Sequence, residues 1–366
     1  MFFKRLFAVL NLVLVIILWE NVRFKSNYFI FLDGTTNTME SQTSIWNMFN
    51  ALPGNIKKIQ DSYNKDAHQI YLKEYGPISA IYIAGVGSSQ SISFAKQWAE
   101  SINGHGMEKN AIIAYNFLVK RYSHSIFAST EINIFGFSRG AATARMLCTY
   151  LSKYGITNLN FEPSNENPSI TKFDATFVNP EIDSVVGTIP TINFLGLFDT
   201  VPGLDVHSTA AYYLGSNDLA KLSMDIPSIV RHCAHAVAIN EVRTDFKYEP
   251  ISVTSNWKES YFIGNHDDIG GRRNRDRPQI SLRWMITQAN MTYIFKSILS
   301  SEEVVNDIAT NYPIGDSMSL SRIYGGTSNR DIDISKVDQS VQLFAKKNHI
   351  QLEEVTNTEA LLVLQQ

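Results

Sequence analysis

The chain has 366 residues, of which 44% are apolar and 18% charged, and its 32 basic and 35 acidic groups give a net charge of −3. This composition excludes a disordered tail, and a charge so near neutral argues against a surface built to bind nucleic acid. The length predicts about two domains, although a single α/β domain often reaches this size. The two cysteines, Cys148 and Cys233, cannot form a disulfide framework, and their apolar neighbours predict two buried thiols.

The N-terminus carries a concentrated apolar run at residues 6–19, in which Asn11 is the only polar side chain. The run is short for a membrane-spanning helix, which needs about 17–25 residues, and no small-residue cleavage site follows it. An uncleaved signal-anchor, a cleaved signal peptide and a buried first element of the fold all stay open, and we favour the first. Residues 1–25 are therefore assigned to a signal-anchor or signal sequence. They predict a membrane-associated protein, with the side of the membrane undetermined.

After this run, short apolar strands alternate with amphipathic helices. Strands are predicted at residues 28–32, 80–84, 131–135, 191–198 and 260–263. Helices are predicted at residues 44–52, 107–122, 141–154, 228–240 and 280–299. The alternation indicates an α/β fold with a mostly parallel sheet and helices on both faces.

This pattern also suggests how the chain is divided. Residues 26–300 are assigned to one catalytic domain. The polar stretch 157–190 is interpreted as an excursion over the surface that could act as a lid. Residues 301–366 show less pattern and are assigned to a C-terminal helical appendage.

The strongest motif is the G-x-S-x-G pattern around Ser138, read as Gly-Phe-Ser-Arg-Gly at residues 136–140. A predicted strand leads into it and a predicted helix leaves it, which is the context of a nucleophile elbow. The helix N-terminus would offer the N–H of Arg139 to a developing oxyanion. The alternative is a glycine-rich turn that holds an incidental serine.

A nucleophilic serine needs a base, and the base needs an acid that orients it. In this fold the chain order is serine, acid, histidine. Asp199 ends the strand 191–198 and fits the acid, although an aspartate also suits a simple turn. His266 follows the strand 260–263 and is the favoured base, with His235 of the predicted helix 228–240 as runner-up. Two further histidines are weaker candidates: His207 and His232.

Two turns next to these residues could support the site. Asp33 and Gly34 follow the first predicted strand, where Gly34 could supply a second oxyanion-hole N–H and Asp33 could hold the nucleophile loop. A tight turn with an Asx hydrogen bond is the alternative for that pair. Asp268, two residues after His266, is either a supporting residue or a solvated turn residue.

Four arginines follow the histidine loop closely, at residues 272, 273, 275 and 277. A solvated basic loop would explain them. Guanidinium groups also bind phosphate well, so Arg272 and Arg273 are predicted to bind the phosphate of a phospholipid substrate.

Eight segments together resemble, in order, an α/β-hydrolase family that includes the type VI secretion phospholipase effectors of the first lipase class. They are FLDGTTN, GVGSS, GHG, INIFGFSRGAATAR, LGLFDTVPG, HAVAINEVR, YFIGNHDDIGG and ISLRWMITQA, and they span roughly residues 28–294. The resemblance, whose most specific motifs are GFSRGA, FDTV and H-x-D-x-GG, implies an α/β-hydrolase fold and a triad of Ser138, Asp199 and His266. Asn240 stands where the family has an aspartate.

We therefore expect a serine esterase or lipase that hydrolyses acyl esters, phospholipids above all, and that needs no metal and no organic cofactor. Two alternatives stay open. One is a metal-assisted hydrolase that uses the cluster of Asp33, His266, Asp267 and Asp268. The other is a non-catalytic, membrane-anchored interaction protein that keeps the hydrolase fold.

Overall fold

The structure is a computed structural model. It describes residues 25–59, 69–88, 105–122, 129–156, 188–202, 224–271, 276–311 and 328–358. Several predictions fall outside these residues: the apolar run 6–19, nearly all of the lid candidate 157–190, and the side chains of His207, Arg272 and Arg273.

One eight-stranded sheet organises the described chain. Its strands are β1 (Lys25–Leu32), β2 (Lys57–Ile59), β3 (Ile70–Tyr75), β4 (Ile78–Ile83), β5 (Ser129–Phe137), β6 (Ile192–Phe198), β7 (Val230–Ala238) and β8 (Trp257–Phe262). Their order is β2-β3-β4-β1-β5-β6-β7-β8. Only the pairs β2/β3 and β3/β4 are antiparallel, so the predicted mostly parallel sheet is confirmed.

Helices cover both faces of the sheet. They are α1 (Ser44–Ala51), α2 (His105–Tyr122), α3 (Arg139–Tyr154), α4 (His266–Gly270), α5 (Pro278–Gln288), α6 (Glu302–Asn311) and α7 (Gln339–Asn348). Along β1, Tyr28 and Ile30 pack with α2 and α3, whereas Phe29 and Phe31 pack with α1 and α5. A strand that is apolar on both faces needs cover on both sides, and this explains the layered α/β architecture.

Two predicted helices were wrong in type or length. Residues 228–240 form strand β7 in the parallel part of the sheet. Residues 233–238 of β7 are all buried, so the strand lacks the alternation of buried and exposed residues that marks a half-buried strand, and periodicity could not separate it from a buried helix. The predicted helix 280–299 ends as α5 at Gln288, where Asn290 turns the backbone to a φ of 55°.

The C-terminal segment packs against the sheet at β7 and β8. Val341 and Phe344 of α7 lie against Tyr261 of β8 in a separate apolar cluster. Asn240, where the resembled family has an aspartate, donates from Nδ2 to Val355 O at 2.9 Å and accepts Gly264 N–H on Oδ1 at 2.9 Å. Residue 240 thus links the C-terminal segment to the loop that precedes His266.

The predicted membrane-associated localisation is corrected. Within the part of the chain that the structure describes, none of the helices has the length and apolar character needed to cross a bilayer.

The predicted thiols are confirmed, because Cys148 and Cys233 are both buried and form no disulfide. The division into anchor, catalytic domain and appendage stays a prediction.

Candidate active site

The turn at Ser138 is a sharp strand-to-helix elbow. Ser138 separates β5 from α3. Its backbone adopts φ 58° and ψ −124°, a conformation that residues other than glycine rarely adopt. A Cβ on Gly136 would lie 2.5 Å from Gly140 O, and one on Gly140 would lie 2.1 Å from Leu32 O. Both glycines are therefore required by close backbone packing, as the motif predicted.

Hydrogen bonds tie the elbow to the residues around Asp199. Ser138 N–H donates to Phe198 O at 2.9 Å, and Val201 N–H donates to Ser138 O at 3.3 Å. Asp199 lies between these two partners, at the carboxyl end of β6, with a φ of 42°. The serine and the aspartate are thus held at one edge of the sheet, although they are 61 positions apart in the chain.

Asp199 and His266 form a buried pair. His266 Nδ1 lies 2.6 Å from Asp199 Oδ2, and both side chains are almost fully buried. Ala238 N–H donates to the other carboxylate oxygen at 2.9 Å. No described residue forms a hydrogen bond with His266 Nε2, the ring nitrogen opposite Asp199.

The histidine ring is fixed by its neighbours. Phe137 packs against it with ring centroids 4.6 Å apart, and Phe246 meets it edge-on at 5.0 Å. The backbone N–H of His266 donates to Glu241 Oε2 at 3.2 Å, and Glu241 also pairs with Arg243 at 2.7 Å. The imidazole is thereby held in one orientation at the end of β8.

Arg330 is a charged partner of the site that the sequence did not reveal. Its guanidinium donates to both carboxylate oxygens of Asp199, at 2.6 and 3.0 Å. Burial alone would raise the pKa of Asp199, but the charge of Arg330 and the hydrogen bond from His266 outweigh it and hold the pKa well below its usual value. A lone arginine in a polar segment carries no periodic or motif signal, so only the fold brings it to the site.

The turn at Asp33 supports the elbow from the β1 side. Asp33 accepts hydrogen bonds from Gly34 N–H at 2.8 Å, from Thr43 Oγ1 at 2.7 Å and from Tyr82 Oη at 2.7 Å. A Cβ on Gly34 would lie 3.1 Å from the Cβ of Ser138, so this turn lies directly against the candidate nucleophile. The Gly34 N–H that was expected to bind an oxyanion donates to Asp33 instead.

Asp268 shapes the histidine loop by capping α4. Its Oδ2 accepts Asn265 N–H at 3.0 Å, while Asn265 Oδ1 accepts Asp268 N–H at 3.2 Å. This reciprocal pair is a capping box, which fixes the start of the helix that carries His266. Asp268 is buried, so it is not a solvated turn residue.

The arginine cluster is only partly described. Arg277 is buried and lies 5.6 Å from the ring of Phe344, so it does not belong to a solvated loop. Burial lowers the pKa of its guanidinium to about 10. The roles predicted for Arg272 and Arg273 stay predictions, since both residues lie outside the described chain.

The side chains suggested as metal ligands do not form a cluster in the described part of the chain. Within the described ranges, no group of three or more histidine, cysteine, aspartate and glutamate side chains is arranged to hold a metal ion. Asp33 already accepts three hydrogen bonds, and Asp268 caps α4. These two carboxylates therefore serve separate turns.

His235, the runner-up base, is part of a second buried pair. Its Nδ1 lies 2.9 Å from Glu259 Oε2, and its Nε2 accepts Thr200 N–H at 3.1 Å. Both ring nitrogens are thus bonded within the protein, and the side chain is fully buried in β7. This arrangement leaves no nitrogen with which to accept a proton from substrate or serine.

Comparisons with known proteins add a family to this geometry. A model of the catalytic domain of Tle1-like phospholipase effectors of the type VI secretion system matches residues 27–288. An uncharacterized protein of Saccharomyces cerevisiae is 22% identical over 237 residues, which make up 60% of this chain and 32% of that protein. The chain therefore spans about a third of this curated relative.

Solved structures resemble the chain more distantly. An uncharacterized protein from Pseudomonas aeruginosa aligns with a TM-score of 0.45 and 16% identity, covering 83% of this chain and 53% of that chain. The Tle1 effector bound to the VgrG spike of the type 6 secretion system aligns with a TM-score of 0.37 and 20% identity, covering 68% and 51%. An esterase from the planctomycete Thermogutta terrifontis aligns with a TM-score of 0.35 and 12% identity, covering 76% and 84%.

Proposed function

This chain belongs to the family of Tle1-like phospholipase effector catalytic domains, and we propose that it hydrolyses acyl ester bonds with Ser138, His266 and Asp199 as a catalytic triad. The family consists of carboxylic ester hydrolases, as the sequence motifs predicted. The observation that supports the triad best is the 2.6 Å contact between His266 and Asp199, at the sheet edge where the elbow lies. A buried aspartate on Nδ1 holds the imidazole in the tautomer whose Nε2 can accept a proton.

The proposed reaction has two halves. Ser138 Oγ attacks the acyl carbonyl carbon and gives its proton to His266 Nε2, which then protonates the leaving alcohol. In the second half His266 takes a proton from water as the water oxygen attacks the acyl carbonyl carbon. His266 then returns that proton to Ser138 Oγ as the bond to the serine breaks and the carboxylic acid leaves. Asp199 keeps its charge throughout and stabilises the imidazolium.

The oxyanion would be bound by backbone N–H groups. Arg139 N–H, in the first turn of α3, is one proposed donor, and the partial positive charge of that helix end favours an anion. Gly34 N–H is bonded to Asp33, so we assign the second donor to Thr35 N–H, the next along the same turn. The close approach of Gly34 to Ser138 supports this placement.

Ser138→Ala tests the proposal. We expect hydrolysis of p-nitrophenyl butyrate and of mixed phospholipid vesicles to fall by at least about 10³-fold, since the nucleophile is lost. Ser335→Ala, which removes an exposed hydroxyl bonded to Asp333, serves as the matched control. Full hydrolysis by a folded Ser138→Ala protein would contradict the mechanism.

The phospholipid preference is the finer part of the proposal. Family membership supports it, and Arg272 and Arg273 remain the proposed phosphate contacts. Replacing both by glutamine should lower hydrolysis of phosphatidylglycerol vesicles while leaving p-nitrophenyl butyrate hydrolysis unchanged. Arg231→Gln, which removes an exposed charge on β7, is the control. Equal effects on both substrates would argue against a headgroup site.

A further inference from the structure

Arg330 lies beyond the residues that the family model matches, yet it contacts the proposed catalytic acid. The match ends at residue 288, and Arg330 belongs to the segment 328–358. Arg330 Nη1 donates to Asp199 Oδ1 at 2.6 Å, and Nη2 donates to Oδ2 at 3.0 Å. This two-pronged geometry is the strong form of an arginine–carboxylate pair.

The guanidinium is itself held in place on several sides. Nη1 also donates to Ala238 O at 2.9 Å and Nη2 to Phe246 O at 2.6 Å, so both terminal nitrogens have two acceptors each. The plane lies 5.2 Å from the ring centre of Tyr248, and the side chain is 5% exposed. Such a fork would keep Asp199 fixed once the C-terminal segment has docked.

From the described part of the chain Asp199 receives four hydrogen bonds: two from Arg330, one from Ala238 N–H and one from His266. A carboxylate has about four acceptor positions, so this one is filled. It is fully buried, and an ionised carboxylate without a cationic partner would be costly there. Arg330 supplies that partner from outside the matched domain.

We propose that Arg330 is a positioning residue for catalysis, which orients both oxygens of Asp199 so that Oδ2 faces His266 Nδ1. The inference rests on the proposed function of Ser138, His266 and Asp199. It makes the C-terminal segment a part of the site rather than an appendage. Lysine cannot replace Arg330 fully, because an ammonium group has no planar fork.

Arg330→Met and Arg330→Lys test this role by kinetics. With p-nitrophenyl butyrate, the methionine variant should lose kcat by roughly 10²-fold, the size of effect that a misplaced catalytic group produces, and lysine should recover part of it. KM should change little, since both terminal nitrogens of Arg330 are taken up by Asp199 and two backbone carbonyls. Arg283→Met is the matched control, because Arg283 also holds a backbone carbonyl, Ser300 O at 2.8 Å, but lies in α5 away from Asp199.

The pH profile separates positioning from a merely structural role. The charge of Arg330 and the hydrogen bond from His266 lower the pKa of Asp199 against burial. Without Arg330, Asp199 takes up a proton at higher pH and releases His266, so the acidic limb of kcat should move to higher pH in the methionine variant. A merely structural loss would lower the folded fraction and leave the limb in place.

Proton NMR gives a readout that does not depend on hydrolysis. The Nδ1 proton between His266 and Asp199 should resonate far downfield, be absent from His266→Gln, and move in Arg330→Met and Arg330→Lys but not in Arg283→Met. Folded Arg330 variants with unchanged kcat, pH limb and resonance would overturn the inference while the proposed function stands. An inactive wild type with a shifted resonance in the variants would instead overturn the proposed function.

Discussion

Two histidines in the structure each pair with a carboxylate through Nδ1. His266 Nδ1 lies 2.6 Å from Asp199 Oδ2, and His235 Nδ1 lies 2.9 Å from Glu259 Oε2. They differ at the other ring nitrogen. His235 Nε2 accepts Thr200 N–H from within the sheet, whereas no described residue bonds to His266 Nε2. A histidine–carboxylate pair is therefore not a sufficient sign of a catalytic base, and the decisive feature is a ring nitrogen left for the reaction.

The positions of the two pairs in the fold explain this difference. His235 lies within β7, where neighbouring strands flank it on both sides. His266 follows β8 and begins α4, at the carboxyl edge where open α/β sheets place ligands. The two pairs are still neighbours, because Thr200, which donates to His235, directly follows Asp199 in the chain.

Exchanging each histidine for glutamine gives the largest predicted contrast. His266→Gln should lower kcat for p-nitrophenyl butyrate by about 10⁴-fold or more, since the base is lost. His235→Gln should keep kcat within about tenfold, because glutamine can still accept Thr200 N–H, a bond of ordinary strength. Loss of activity by a folded His235→Gln protein, with His266→Gln active, would reverse the assignment.

The carboxylates should show the same contrast. Asp199→Asn should lower kcat by about 10⁴-fold, because the amide no longer stabilises the imidazolium or selects its tautomer. Glu259→Gln should leave kcat nearly unchanged and lower the melting temperature, since it breaks a buried pair with His235. Thermal unfolding and kinetics on the same samples check both. A greater loss of kcat in Glu259→Gln would contradict the comparison.

The pH dependence of stability should separate the two pairs. Burial lowers the pKa of His235, so the folded protein resists a proton that the unfolded chain binds near about pH 6.5. The contribution of His235 to stability is fully present above about pH 6.5 and is lost as the pH falls toward the lowered pKa. Asp199 also has a lowered pKa, but its contribution is lost only below the unfolded value of about 3.9.

Melting temperatures measured across this range check the two windows. The wild type should begin to lose stability below about pH 6.5, and His235→Gln should lack that part of the slope. Asp199→Asn should keep it and lose only the part below about pH 4. Identical slopes for wild type and His235→Gln between these values would show that His235 is not held neutral by burial.

Tyr261→Phe should give the smallest effect. Tyr261 Oη donates to Glu259 Oε1 at 2.9 Å, and Glu259 keeps bonds from His235 and from Ile251 N–H. Removing the hydroxyl should lower the free energy of unfolding by about 1.5–3 kcal/mol, the usual range for a hydrogen bond to a charged group. The value of kcat should not change. A loss of kcat would mean that the His235–Glu259 pair affects the reaction.

The sequence predicted which candidate site residues meet at the carboxyl edge of the sheet, because the signals for them are local. A strand, the G-x-S-x-G motif and a helix together specify the elbow at Ser138, and strand ends place Asp199 and His266 near it. The same reasoning placed His235 in a helix, because a strand apolar on both faces has no alternating pattern. A strand was therefore mistaken for a helix where burial is greatest.

Contacts that join distant segments could not be predicted. Arg330 and Asp199 are separated by 131 positions, and neither the residue type nor the spacing of Arg330 indicates the contact. The bond from Gly34 N–H to Asp33 is local but depends on the turn geometry, which Asx and oxyanion interpretations share. The contact of Arg330 with Asp199 therefore follows from the tertiary fold alone.

Covalent labelling with a fluorophosphonate probe tests the central claim most directly, because the probe reacts with a serine only when a neighbouring base activates it. We expect mass analysis to place one adduct on Ser138 in the wild type and in His235→Gln, and none on Ser138 in His266→Gln. Labelling of Ser138 that persists in His266→Gln and disappears in His235→Gln would contradict the account.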